Sequence, residues 1–329
     1  MGDKQTTFVE FKNAPPERLP VRDPRVLKQV REGDFYARAQ EPFENPEFLL
    51  RVEHDAANFF CIDLFHRIRL SDVEDKRLTV ILPSPEVASF VSIVENLNKF
   101  RVSCRNLHVF FSHEFANERD EVAPPESRYS RSYYFMKYFY GRLAEDLRPD
   151  LQQIHFMTKE NIADYGRLIG EAGGGGADVV YSSVSWLGGF AGIDPVGEFL
   201  TDDLEKFLSI GSRVITPLPE TIAEDSLRGM FGSSGDIGVV PPKVATVGPE
   251  NIAAARYRFH FAAHYPCGGS AANAWQRYGA RLATFGEVTP RVPASMLRLY
   301  PGISYIDVAI AEPLVYAPDY DPLREHSCY

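Results

Sequence analysis

The side chains able to move a proton or hold an anion fall at four places in the chain. The first is Ser112-His113-Glu114-Phe115, directly after the apolar run Leu107-His108-Val109-Phe110-Phe111. An imidazole beside a carboxylate suits general acid–base work, the acid orienting the ring that carries the proton. Neighbours on an extended chain point to opposite sides, so only one of His113 and Glu114 faces a given pocket. The pair reads equally as a satisfied structural histidine with a surface acid. The second place is the stretch from Ser182 to Pro195, where Gly188 and Gly189 would let a ligand approach the backbone and Asp194 is the only acid. A tight turn with Asp194-Pro195 opening the next segment is the alternative. The third is Pro83-Ser84-Pro85-Glu86: Ser84 fits a helix N-cap, and a helix start attracts anions, but Glu86 brings a negative charge into the same turn. The fourth is His264 followed by Tyr265-Pro266-Cys267-Gly268-Gly269-Ser270, a turn whose Gly269 and Ser270 could cradle an anion without help from Lys or Arg. No adjacent cation marks Cys267 as a nucleophile.

Strands and helices that alternate along the chain must position these groups. Apolar runs at 78–82, 107–111, 154–156, 179–181, 258–263 and 305–310 predict strands. Amphipathic stripes predict a helix from Asn45-Pro46-Glu47 to about Arg69, another carrying Val87, Phe90, Val91, Val94 and Leu97, and an aromatic one over 130–147. Further helical segments fall near 201–209, 270–284 and 294–299. The tetraglycine at 173–176 precedes a strand and is expected to be a flexible connector. Continuous apolar strands between amphipathic helices imply an α/β, Rossmann-like fold, with a mainly parallel sheet and helices on both faces. In such a sheet ligands gather beyond the carboxyl ends of the strands, where all four places lie. Residues 1–45, rich in Pro and charge, are expected to form an extended arm, and 46–329 a single domain.

Composition narrows the function. With 45 acidic against 35 basic residues the 329-residue chain carries a net charge of -10, which argues against a nucleic-acid binder. No apolar run approaches the roughly 20 residues of a membrane span, and the polar start does not resemble a signal peptide, so a cytoplasmic protein is expected. The four cysteines are too dispersed for a disulfide framework or zinc site, no His/Asp/Glu spacing suggests a metal, and no cofactor is expected.

Three segments carry a family resemblance. Ser132-Tyr133-Tyr134-Phe135-Met136, Val239-Val240-Pro241-Pro242-Lys243-Val244-Ala245-Thr246-Val247-Gly248 and Pro293-Ala294-Ser295-Met296-Leu297-Arg298-Leu299-Tyr300-Pro301 resemble, in order and spacing, motifs of the glucosamine-6-phosphate deaminase/isomerase family, whose relatives include the 6-phosphogluconolactonases. The resemblance runs from about residue 46 to 314 and implies a sugar or sugar phosphate as small-molecule partner, and a homo-oligomer. It also implies that His113 and Glu114 stand where the family has the Asp and Glu of Asp-Glu-Tyr, and that Leu187, Gly189 and Asp194 replace the Asp, His and Glu of the ring-opening relay. Arg228, before Gly229-Met230-Phe231, matches a phosphate-binding arginine, while the phosphate loop after the first strand and the late lysine have no counterpart. Leu187 and Gly189 cannot carry protons. The resulting expectation is a diverged sugar isomerase in which His113 is the base, Asp194 a second acid/base and Arg228 the substrate anchor. The alternatives are a non-catalytic carbohydrate-binding or regulatory protein, and glucosamine-6-phosphate deaminase proper.

Overall fold

The computed structural model describes residues 24–83, 87–227, 231, 234–263 and 275–314. Two short helices, α1 (Pro24–Glu32) and α2 (Phe35–Arg38), lead into strand β1 (Phe48–Glu53) and the long helix α3 (Ala56–Glu74). Then follow β2 (Leu78–Leu82), α4 (Val87–Phe100), β3 (Leu107–Phe111), β4 (His113–Ala116), α5 (Arg131–Tyr138), β5 (Ile154–His155), α6 (Tyr165–Gly173) and β6 (Val179–Ser182). The last part holds α7 (Leu204–Leu208), β7 (Arg213–Ile215), α8 (Pro219–Leu227), β8 (Lys243–Thr246), α9 (Pro249–Ala254), β9 (Tyr257–Ala262), α10 (Trp275–Phe285), β10 (Gly302–Asp307) and α11 (Val308–Ala311).

Seven strands form one parallel sheet in the order β1-β10-β9-β6-β2-β3-β5. The chain runs outward from β2 through β3 to β5, then returns to lay β6 on the other side of β2. The order therefore reverses between β2 and β6, and the crevice beyond their carboxyl ends is where such a sheet binds ligands. Side-chain alternation divides the interior. Val80, Leu82, Val109 and Phe111 face α3, α4 and α5 in one cluster, while Ile81 and Phe110 face α6 and α9 in the other. Both faces are covered, as a parallel sheet requires.

Several elements differ from the sequence-based expectation. The segment 48–53 is a strand: Phe48 and Leu50 are buried while Leu49 is exposed, a period of two that the helix-compatible spacing of Phe48, Val52 and Ala56 masks. Residues 24–45 include α1 and α2 rather than an extended arm. Val30 packs with Leu282 and Val292, and the Phe35 ring meets Phe285 edge-on at 4.9 Å. The aromatic helix stops at Tyr138 and continues as short 3-10 turns, 293–299 is a 3-10 helix, and the last predicted strand ends at Asp307, where α11 begins. The tetraglycine is held in place. Gly174 closes α6 at φ 66°, and a Cβ on Gly176 would lie 2.0 Å from the Ala254 carbonyl oxygen. A second sheet, antiparallel in the order β4-β8-β7, was not expected at all. Among the described residues no helix is long and apolar enough to cross a membrane.

Candidate functional site

His113 does not sit in a loop but opens β4, opposite Thr246 of β8. Ser112, one residue earlier and fully buried, ties this corner to the parallel sheet. Its N–H donates to the Leu82 carbonyl at 2.8 Å, and its own carbonyl accepts from Val247 at 2.9 Å. Its hydroxyl stands 2.7 Å from Nδ1 of the half-buried His113. A hydroxyl can accept from a protonated Nδ1 or donate to a bare one, so the pair supports either charge state of the ring. The contact with the Ser112 hydroxyl fixes the orientation of the ring.

Glu114 points the other way, as strand alternation requires. Its Oε1 accepts from the N–H groups of Phe115 and Arg131, both at 2.9 Å; its Oε2 accepts from the Ser132 N–H at 2.8 Å and from the hydroxyls of Ser130 and Ser132 at 3.0 and 2.7 Å. The carboxylate thus fills the start of α5, whose free N–H groups and dipole favour an anion. Only 1% exposed, it has no reach to a bound molecule.

The glycine-bearing loop after β6 folds on itself. The Ser185 N–H donates to the Gly189 carbonyl at 2.8 Å, Phe190 and Ile193 exchange N–H···O=C bonds at 3.2 and 2.7 Å, and the Ala294 N–H donates to the Gly188 carbonyl at 2.9 Å. Gly192, at φ 83°, lies so close over His113 that a Cβ there would be 2.6 Å from the histidine Cβ, and the Thr246 hydroxyl donates to the Ala191 carbonyl at 2.7 Å. Gly188 and Gly189 are buried: the place of a side chain on Gly188 is filled by Val292, and that on Gly189 by the Asp194 carboxylate and the Ser185 hydroxyl. These glycines permit the close fit of the loop itself.

Asp194 is 3% exposed and turns toward α8. Its Oδ2 accepts from the Thr221 hydroxyl at 2.6 Å and the Leu218 N–H at 3.0 Å. Burial pushes this carboxyl up to about 6, against the lowering effect of those bonds, and the nearby charges of Asp225 and Glu220 add to the rise. Helix α8 grips the loop a second time, since buried Glu224 accepts from the Trp186 N–H at 3.1 Å. Asp225, the next residue, pairs with Arg131 at 3.3 Å, whose guanidinium lies 4.3 Å over the Phe115 ring. His113 and the loop carrying Asp194 therefore meet through Gly192, while the Asp194 carboxylate itself is directed at α8.

Sequence reasoning missed Ser112, Thr246, Thr221 and Glu224. The last two sit three apart on one helix, a same-face spacing that could have marked them. Ser84, Arg228, His264, Cys267, Gly269 and Ser270 lie outside the described residues. His260, beneath the crevice on β9, is pushed down to about 4 by burial and stands 3.0 Å from the Ser182 hydroxyl, a neutral interior pair. The buried thiols of Cys61 and Cys104 are raised to about 11 and 12 by desolvation, which leaves them poor nucleophiles. Among the described residues no three His, Cys, Asp or Glu side chains are grouped to hold a metal.

No family model and no curated protein matches the chain. Solved structures do. A monomeric glucosamine-6-phosphate deaminase superposes with a TM-score of 0.62 at 15% identity, over 80% of this chain and 98% of that one. The 6-phosphogluconolactonases of Trypanosoma brucei and Trypanosoma cruzi give TM-scores of 0.55 and 0.53 at 17% and 16% identity, over 84% of this chain in both cases and 99% and 98% of theirs. The chain has the fold that these proteins share, in agreement with the resemblance carried by its motifs.

Proposed function

We propose that this protein is a diverged enzyme of carbohydrate metabolism that moves a proton on a sugar or sugar phosphate, with His113 as the base. The observation that carries the reading is the Ser112–His113 pair, 2.7 Å apart and set just past the carboxyl end of β3. Its neighbour Gly192 presses a loop against the base of the side chain, which supports a fixed place for the imidazole. With its ring held by Ser112, the His113 imidazole takes a proton from the carbon next to the carbonyl of an open-chain sugar, leaving an enediolate. Return of that proton to the adjacent carbon, while the remaining hydroxyl proton of the enediolate passes to the neighbouring oxygen, completes an isomerisation. One base suffices for this exchange, and histidine does it near neutral pH without a large shift. Ring opening needs a further acid, and the Asp194 carboxylate is committed to α8, so an already open chain fits best.

Glu114 and Asp194 act as positioning groups in this reading, one for α5 and one for the loop. Ser84, Arg228, His264, Gly269 and Ser270 are proposed to bind the substrate, and Gly188 and Gly189 to shape the wall. The setting is cytoplasmic, with a small molecule rather than a nucleic acid or membrane as partner. A second reading, a carbohydrate-binding or regulatory protein without turnover, is favoured by the burial of both carboxylates and their hydrogen bonds within the protein.

The test is a panel of aldoses, ketoses, their 6-phosphates and glucosamine 6-phosphate, followed by thermal shift, product NMR and ammonia release. Conversion of one member, reduced roughly a hundredfold to ten-thousandfold in His113→Ala, is expected. Thermal shifts without conversion would establish the binder instead. Brisk ammonia release would return the protein to the deaminase reaction.

A further inference from the structure

We infer that a cavity between the sheet and the end of α10 is a binding site for a single water molecule, and that this water fixes which nitrogen of His260 carries the hydrogen. Ser182, His260 and Ser304 stand opposite one another on the neighbouring strands β6, β9 and β10. They are 0%, 3% and 5% exposed and share the face of the sheet that carries Val180, Ala262 and Ile306. A polar row set into an apolar face needs a partner for each of its hydrogen-bonding groups.

The protein supplies only part of them. Nδ1 of His260 lies 3.0 Å from the Ser182 hydroxyl, while its Nε2 and the Ser304 hydroxyl have no hydrogen-bond partner among the described residues. The last turn of α10 adds Thr284, also buried, whose hydroxyl is likewise without a partner there. These three residues and Arg298 line a cavity of about 20 Å³. One water needs about 10–15 Å³ and two to four polar partners, so the space takes one molecule and not two. Phe43, Phe48 and Leu297 belong to the same wall and offer no polar side-chain atom, which leaves the bonds of the water to the polar row, Thr284 and Arg298.

Charge orients the molecule. The Nη atoms of Arg298 donate to the Thr284 and Gly286 carbonyls and meet Glu44, but its buried Nε has no partner among the described residues. A guanidinium offers donors only, so it draws the oxygen of the water toward itself and turns the hydrogens toward His260 and Ser304. Nε2 of His260 then accepts, which puts the single ring hydrogen on Nδ1 and makes the Ser182 hydroxyl the acceptor of the bond between them. Ser182 is the last residue of β6, next to the point where the strand order reverses. Its own hydroxyl hydrogen is left for a further acceptor at that end of the strand. The water is thus the far end of a hydrogen-bond row that reaches from Arg298 to the carboxyl end of β6.

Three measurements on the full chain test this. A high-resolution crystal structure should show one water within hydrogen-bond distance of His260 Nε2 and the Ser304 hydroxyl. Nitrogen-15 NMR of histidine-labelled protein at neutral pH, with the signals of His260 assigned by their loss in His260→Gln, should find Nδ1 protonated and Nε2 bare. Oxygen-17 relaxation dispersion counts long-lived internal waters, and Ser304→Val, whose added methyl occupies the cavity, should have one fewer than wild type. Ala283→Val, at another position of the wall, fills the same space should Ser304→Val not fold. A cavity that is dry or holds a different molecule, a His260 protonated at Nε2, or an unchanged water count in a folded, filled variant would each overturn the inference.

Discussion

At Asp194 burial and hydrogen bonding pull in opposite directions, and burial wins: the carboxyl is pushed up to about 6 while Thr221 and Leu218 still donate to it. An unfolded aspartate titrates near 3.9. Below that pH the side chain is neutral in both states. As pH rises from about 4 to 6 the unfolded chain loses its proton first, so folding stability falls, by about 3 kcal/mol in all for a shift of this size. Asn at this position can accept both bonds and stays neutral. Asp194→Asn should therefore gain stability relative to wild type as pH rises through that window, with the difference level above it. Denaturant unfolding at pH 4.5 and pH 8 measures this, and a difference independent of pH would contradict it. The acid was legible in the sequence as the only one in its loop, but its direction was not, because the helix that engages it begins more than twenty residues later.

Helix α5 shows how a residue nominated for chemistry can serve an element. Both Glu114 oxygens accept from donors at the helix start, including a backbone N–H on each. A glutamine has one accepting atom, so its amide would face a backbone N–H in either orientation. Glu114→Gln should therefore cost about 2–4 kcal/mol, close to the loss in Glu114→Ala rather than behaving as an isostere. A glutamine variant as stable as wild type would refute the capping role. The resemblance singled out this acid, yet its task depends on a helix that starts 17 residues downstream. The same limit hid the small sheet. His113–Ala116, Arg213–Ile215 and Lys243–Thr246 are three or four residues long, and their pairing follows from tertiary contact rather than from an apolar run. The long apolar strands, buried along nearly all of their length, were readable without it.

Across the whole molecule three buried arginines close the fold by capping helix carboxyl ends. Arg258 donates to the carbonyls of Ile252 and Ala253 at the end of α9, and desolvation pushes it down to about 10, still cationic at neutral pH. Arg298 donates to Thr284 and Gly286 past α10 and pairs with Glu44 at 3.2 Å. Arg281 spans the chain, reaching the Gly33 carbonyl at 2.6 Å and the Glu312 carbonyl at 3.0 Å. It joins the helices before β1 to the end of the fold, a link that charge-rich residues 24–45 give no sign of in sequence. Arg281→Met should lower stability by about 2–4 kcal/mol, with little change between low and high salt, because the carbonyls of Val30, Gly33, Ala311 and Glu312 lose a buried donor. A loss that high salt abolishes would point to a surface ion pair. The measurement that bears most directly on the central claim uses D2O, with the sugar found to be converted, and follows deuterium entering the carbon beside its carbonyl by NMR. Wild type should exchange that hydrogen, while folded His113→Gln should bind the sugar with similar affinity and exchange it at least a hundredfold more slowly. Equal exchange by the two proteins would contradict the assignment of the base to His113.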